Sequence, residues 1–231
     1  MHALLYDIHG NLPALDAVIA DATSRGAEEF VLGGDYALTG AWPQECVKRI
    51  EQLNGSWIRG NTERWLQDPS DAPDDDLLHR LIAYCRHELG TKRVERLVDL
   101  PLSTGINGAC VCHAAPHDDM LTFMPDPTDG DRELLAHTDA QVVVFGHSHL
   151  QFMREADDGR LLVNPGSVGL PFDGDRRAAY ALWHGPRDFE LRRVAYDSDA
   201  YVGSVRERMG EALGPAVETL VRRLEQAALV Q

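Results

Sequence analysis

The sequence predicts an α/β fold, on three observations. Over the first two thirds, short apolar runs alternate with stretches of helical periodicity, the rhythm of strands joined by crossover helices. The runs Ala3-Leu4-Leu5-Tyr6, Phe30-Val31-Leu32, Trp57-Ile58, Ala109-Cys110-Val111-Cys112 and Val142-Val143-Val144-Phe145 each read as a buried strand. The length of 231 residues and the 44% hydrophobic content suit one sizeable core. Residues 1–231 are therefore expected to form a single domain, with a helical C-terminal tail from about residue 198.

Taken in order, the elements have local reasons. Asn11 can cap a helix whose apolar stripe is Leu12, Leu15, Val18, Ile19 and Ala22, with Pro13 in the first turn and Gly26 just past the end. A strand follows at 30–33, a helical segment at 43–53 and another strand at 56–59. Residues 68–76, rich in Asp and Pro, read as a loop, and 77–89 and 92–98 as helices. Strands are then expected at 105–112, 141–145, 161–163, 178–183 and 189–194. From 198 to 229 the pattern is one or two amphipathic helices, interrupted near Gly214-Pro215. Apolar residues such as Val202, Val205, Met209, Leu213, Leu220 and Leu224 exceed what a lone exposed helix would keep. The tail is expected to pack on a sheet edge or to pair two copies as a homodimer.

Composition excludes several partners. A formal net charge of −15 argues against gripping duplex nucleic acid, which is bound by Lys and Arg neutralising phosphates. No apolar run approaches the roughly 20 residues needed to span a bilayer, and no basic segment leads into an apolar core at the N-terminus. Cys46, Cys85, Cys110 and Cys112 form no CxxC pair and read as core thiols rather than redox or zinc ligands. The expected setting is the cytoplasm, without membrane attachment.

Seven potential metal donors recur just after the apolar runs. They are Asp7 and His9, then Asp35, Asn61 and His113, then His147 and His149. In an open α/β sheet the carboxyl ends of strands border the ligand crevice. Residues two apart in an extended segment face one side, which would let Asp7 join His9 and His147 join His149. Imidazole, carboxylate and amide oxygen suit manganese, iron, zinc, cobalt or nickel rather than soft copper. The donors are too many for one tetrahedral ion, and a bridging carboxylate would divide them between two.

The ordered blocks Asp7-Ile8-His9-Gly10-Asn11, Gly34-Asp35, Gly60-Asn61-Thr62-Glu63, His113 and Gly146-His147-Ser148-His149 resemble the calcineurin-like metallophosphoesterase superfamily. The similarity is greatest to its compact bacterial and archaeal branch of predicted phosphodiesterases, and it runs from residue 4 to about 175. Asn164-Pro165-Gly166-Ser167-Val168 is similar to that branch's NPGS turn, and His113-Ala114-Ala115-Pro116-His117-Asp118 to its HGxPxD segment. The resemblance implies a four-layer α-β-β-α sandwich of two packed mixed β-sheets flanked by helices. It implies two divalent ions, manganese foremost, with iron, zinc, nickel or cobalt as alternatives. Asp7, His9, Asp35 and His149 would hold the first, and Asp35, Asn61, His113 and His147 the second, with Asp35 bridging. Asp35, Asn61 and His113 would be catalytic, around a metal-bound hydroxide that attacks phosphorus.

Departures from the family pattern narrow the chemistry. Many relatives carry His after the GN pair as general acid; here Thr62 stands there, and its hydroxyl does not donate a proton near neutral pH as imidazole does. Within the family, that loss tends to accompany preference for diesters. The expected activity is therefore hydrolysis of a small phosphodiester. The alternatives are a phosphomonoesterase or protein phosphatase, since Arg59-Gly60-Asn61 resembles their RGN, or a catalytically inactive scaffold. Asn11, Arg59, Thr62 and His117 are candidate substrate contacts. Each has a plainer reading: Asn11 as a helix cap, Arg59 as a solvated strand residue, and His117 with Asp118 as a solvent-facing loop. Glu63 reads as a structural hydrogen-bonding residue.

Overall fold

The apolar runs pair as parallel strands, because each must bury both faces and donates and accepts along both edges. In the computed structural model, which describes residues 1–229, β1 (His2–Leu5) lies between β2 (Glu29–Leu32), parallel to it, and β9 (Ala178–Gly185), antiparallel. β3 (Gly55–Trp57) and β10 (Asp188–Val194) complete a first sheet of order β10-β9-β1-β2-β3. The second sheet has the order β4-β5-β6-β8-β7, from β4 (Ser103–Ile106), β5 (Ala109–Cys112), β6 (Val142–Val144), β7 (Gln151–Glu155) and β8 (Leu161–Pro165).

The two sheets pack face to face through alternate residues of each strand. Leu4, Val31, Ile58, Ala181 and Trp183 meet Val111, Val142, Val144, Leu161 and Val163 in the middle layer. The intervening residues Ala3, Leu5, Phe30 and Leu32 point outward, under helices. Those helices are α1 (Leu12–Ser24), α2 (Pro43–Ile50), α4 (Asp76–Leu89) and α5 (Thr91–Val98), joined by the tail helices α7 (Ser198–Leu213) and α8 (Val217–Gln226). On the other side the cover is thin. It consists of the short α6 (Asp131–Leu135) and the loop holding Phe123, set against Val143, Phe145 and Leu162. The expected four-layer α-β-β-α sandwich is present, with unequal outer layers.

The tail breaks at a 3₁₀ turn, Gly214–Ala216, where the sequence placed the interruption. Its stripe of Tyr201, Val205, Met209, Leu213, Leu220 and Val221 is buried against the helical layer of the same chain. No helix among the described residues is long and apolar enough to cross a membrane.

Besides the short α6, which the sequence does not predict, four elements differ from the sequence expectation. Residues 105–112 are not one strand but the end of one hairpin arm, the turn and the second arm, because Asn107-Gly108 (φ +50° and +80°) supplies a two-residue turn. Asn61 does not end a strand; it opens α3 (Asn61–Gln67), a helix too short to show a period. Within the expected loop at 68–76, Pro69–Asp71 forms a 3₁₀ turn. β7 is a polar edge strand with no apolar run to reveal it.

Two glycines separate backbone strain from steric closeness. A Cβ on Gly108 would meet nothing, so Gly108→Ala costs only the left-handed φ, about 1–2 kcal/mol. A Cβ on Gly169 would lie 1.8 Å from the Ile8 carbonyl oxygen, and Gly169 N–H donates to Asp7 O at 3.0 Å. Gly169→Ala is expected to cost more than about 4 kcal/mol. Urea unfolding of both variants checks this; equal losses would contradict the close approach at Gly169.

Candidate metal centre

The strand ends deliver their donors through a backbone device that the sequence does not display. Asp7, His9, Asp35, His147 and His149 all have positive φ, between +48° and +65°. Asp7 and His9 therefore converge because each turns left-handed, and not because they share one face of an extended strand. The same holds for His147 and His149. A non-glycine residue in that region costs on the order of 1–3 kcal/mol, which persists only where the surroundings enforce it. Here they do. Asp7 N–H donates to Gly34 O (3.2 Å), His9 N–H to Asp35 O (2.9 Å) and His147 N–H to the Asp7 carboxylate (3.1 Å).

Asp7, His9, Asp35 and His149 form one group, each offering a ligand atom within 4.8 Å of the others, and all four are buried. The imidazole tautomers follow from their partners. His9 Nδ1 faces the Leu38 carbonyl at 2.9 Å and His149 Nδ1 the Leu170 carbonyl at 2.5 Å. A carbonyl only accepts, so each Nδ1 carries the proton. Burial holds both imidazoles below their ordinary pKa, hence neutral, so each Nε2 presents a bare lone pair. Those two nitrogens lie 3.1 Å apart. Two lone pairs facing one another repel unless a cation sits beside them, and two donors on one ion of this class lie about 3 Å apart.

The second group shares Asp35. Its Oδ2 is 3.6 Å from His9 Nε2 and its Oδ1 3.5 Å from His113 Nε2, so the two carboxylate oxygens address the two groups. His113 Nδ1 donates to Gly33 O at 2.8 Å, which again leaves Nε2 bare. Asn61 Oδ1 lies 3.0 Å from His113 Nε2 and 3.0 Å from His147 Nδ1. Burial also lowers the pKa of His113, and takes that of His147 to about 3. The same burial pushes Asp7 and Asp35 above the usual carboxylate range. Asp7 Oδ1 is buried without a hydrogen-bond partner, 3.6 Å from His149 Nε2 and 4.0 Å from His113 Nε2. Buried carboxylates and lone pairs without donors are an electrostatically incomplete set. Divalent cations would complete it, and the donor chemistry fits them. Glycine is required beside them, since a Cβ on Gly60 would stand 2.2 Å from Asp35 Oδ1.

The remaining expected site residues divide. Thr62 is turned towards Asp35, its N–H and Oγ1–H donating to Oδ1 at 3.1 and 2.9 Å. Glu63 accepts from the N–H groups of Asp35, Tyr36 and Gly60, the structural role expected of it; burial raises its carboxyl pKa to about 7. Asn11 caps α1 by accepting from Ala14 N–H, and its amide donates to Gly169 O and Tyr196 Oη. With both ends of its side chain engaged, the cap reading of Asn11 holds. Arg59 donates to Asp119 at 2.8 Å. His117 is exposed and stacks on His137, centroids 3.5 Å apart.

Asp119 and Phe172, two supporting residues, had no sequence signature. Asp119 binds Arg64 through two bonds, 3.0 and 2.7 Å, as well as Arg59. Phe172 stacks on His149 at 4.4 Å. Ser167 Oγ–H donates to Asp7 O at 2.7 Å, while Asn164 donates to Gly146 O and Ser148 Oγ, so the NPGS turn braces the first and last donor loops.

This geometry generates a binding prediction. Manganese added at about 100 times its Kd should stabilise the fold by about 2.7 kcal/mol, reversed by a chelator and largely absent in Asp35→Asn. Thermal unfolding with and without metal reads it. No shift with manganese, zinc, iron, cobalt or nickel would count against the site.

Known proteins bear on this arrangement. An uncharacterized protein of Methanocaldococcus jannaschii is 32% identical over 238 residues, covering 93% of this chain and 96% of that protein. The crystal structure of a metallophosphoesterase from Sphaerobacter thermophilus superposes with a TM-score of 0.83 at 23% identity, covering 98% of this chain and 99% of that one. A hypothetical protein from Pyrococcus horikoshii OT3 gives 0.83 at 20% identity over the full length of both chains. The family model described as the calcineurin-like phosphoesterase superfamily domain matches residues 1–185. With the fold, the strand-end donors and this match in agreement, the chain belongs to the calcineurin-like phosphoesterase superfamily.

Proposed function

We propose that this chain is a metal-dependent phosphodiesterase with a dinuclear centre, acting on a small organic phosphodiester. The observation that supports it most is the facing of bare imidazole lone pairs and buried carboxylate oxygens across two groups that share Asp35. Asp7, His9, Asp35 and His149 would hold one ion, and Asp35, Asn61, His113 and His147 the other. When bound, two such ions lower the pKa of water and neutralise charge on phosphoryl oxygens. We expect manganese in the cell. A small phosphorylated substrate and a cytoplasmic setting fit the acidic composition and the four free cysteines.

The chain's own residues set the rest of the chemistry. The carbonyls of Leu38, Gly33 and Leu170 hold the three imidazoles in the tautomer that presents Nε2. Thr62 orients Asp35 and offers no imidazole to protonate a departing alkoxide, so leaving groups that depart unprotonated are favoured. Arg59 is held at the rim by Asp119 through one of its five donors, leaving others for a phosphoryl oxygen.

Parallel assays with manganese on bis(p-nitrophenyl) phosphate and p-nitrophenyl phosphate test the reading. The diester should turn over faster, and Asp35→Asn should abolish both rates. Faster monoester turnover would favour the phosphomonoesterase alternative. Thr62→Val, which removes the Oγ1 bond to Asp35, should cost about 10–100-fold in metal affinity or activity. Metal titration of the variant's rate measures it, and an unaltered profile would remove Thr62 from the supporting role.

A further inference from the structure

Three large apolar side chains stand in water within five positions of one turn: Met120 is 39% exposed, Leu121 55% and Met124 41%. The other exposed large apolar residues among those described, Met153 on the β7 edge and Leu229, lie elsewhere in the chain. The turn is rigidly built. Asp118 Oδ1 accepts from the N–H groups of Met120 and Leu121, both at 2.7 Å, and Ala115 and Asp118 exchange backbone bonds. Asp119 is clamped by Arg59 and Arg64, Thr122 Oγ1–H donates to Gly146 O at 3.3 Å, and Phe123 is buried against Phe145.

Its place is the rim of the second metal group. The turn follows His113 by a few residues and hooks onto Gly146, next to His147. The turn's polar groups are committed inward: Asp118 Oδ1 to two amides, Asp119 to two arginines, Thr122 to a carbonyl. What it leaves exposed is thioether and methyl surface, which favours contact with aromatic rings over sugar hydroxyls.

Resting on the diesterase reading above, we propose that Met120, Leu121 and Met124 form a specificity surface for one ester substituent of the substrate, and that this substituent is an aryl or similarly flat apolar group. Methyl-labelled methionine NMR reads the contact directly, since the chain has five methionines. Diphenyl phosphate should move the Met120 and Met124 signals while dimethyl phosphate leaves them in place, and Met153 should respond to neither. In turnover, phenyl p-nitrophenyl phosphate should exceed methyl p-nitrophenyl phosphate by about tenfold in kcat/KM, mostly through KM. Both shed the same p-nitrophenolate, so the difference reports the retained substituent. The paired Met120→Ser and Leu121→Ser substitution should collapse that ratio, and Met153→Ser should keep it.

Equal shifts with both phosphates, or a ratio that survives in the paired variant, would overturn the proposal. Signals that move on dilution without ligand would also overturn it, by marking the turn as a contact between copies of this chain. If neither ester is hydrolysed while Met120 and Met124 still respond to diphenyl phosphate, the diesterase reading fails and the aryl surface is upheld.

Discussion

Two aspartates without solvent, facing imidazole nitrogens that can only accept, are the constraint on which the rest of the molecule depends. Burial first, and like charges nearby second, drive Asp7 and Asp35 towards the neutral acid and keep His9 and His149 from charging to compensate. A protein gains nothing in folding from such a cluster. Its architecture is better understood as the framework that keeps these groups together against their own preference. Nδ1 of His9, His113 and His149 is tied to a carbonyl, the donor loops are tied together by backbone and side-chain bonds, and glycines admit the close approach that any side chain would block.

The pair of sheets serves that framework. Parallel pairing of β1, β2 and β3 in one sheet, and of β5, β6 and β8 in the other, points their carboxyl ends the same way. Apolar packing between the sheets then fixes one set of loops against the other. Left-handed residues at the strand exits turn the donors inward. Because the framework supplies the enforcing hydrogen bonds, the local cost of those conformations is met by the fold as a whole.

Much of this was legible in the sequence. Both-face burial of Leu4, Val31 and Val143 showed in unbroken apolar runs, the cap of α1 in Asn11 and Pro13, and the break in the tail in Gly214-Pro215. The donors were legible as types and positions, because metal chemistry restricts which side chains can serve. Their convergence was not, since positive φ at Asp7 or His147 leaves no mark on residue identity. The Asn107-Gly108 turn did carry a local signal, overridden by the strand-forming residues around it. Asp119's grip on Arg59 and Arg64 joins residues 60 and 55 positions apart, beyond the reach of any short pattern. β7 hid for the opposite reason: at the sheet edge none of its residues is fully buried, so no unbroken apolar run marks it.

The unequal outer layers have a kinetic corollary. Asp7, His9 and Asp35 hang from strands backed by the thick helical layer, whereas His113 and His147 hang from strands covered by one short helix and a loop. Local opening follows local packing, so the thinly covered half is the one expected to open first. Were two ions held as proposed, both would touch the thinner half, one through His149 alone and the other through His113 and His147; the second would exchange with solution first, leaving a half-loaded centre whenever metal runs short.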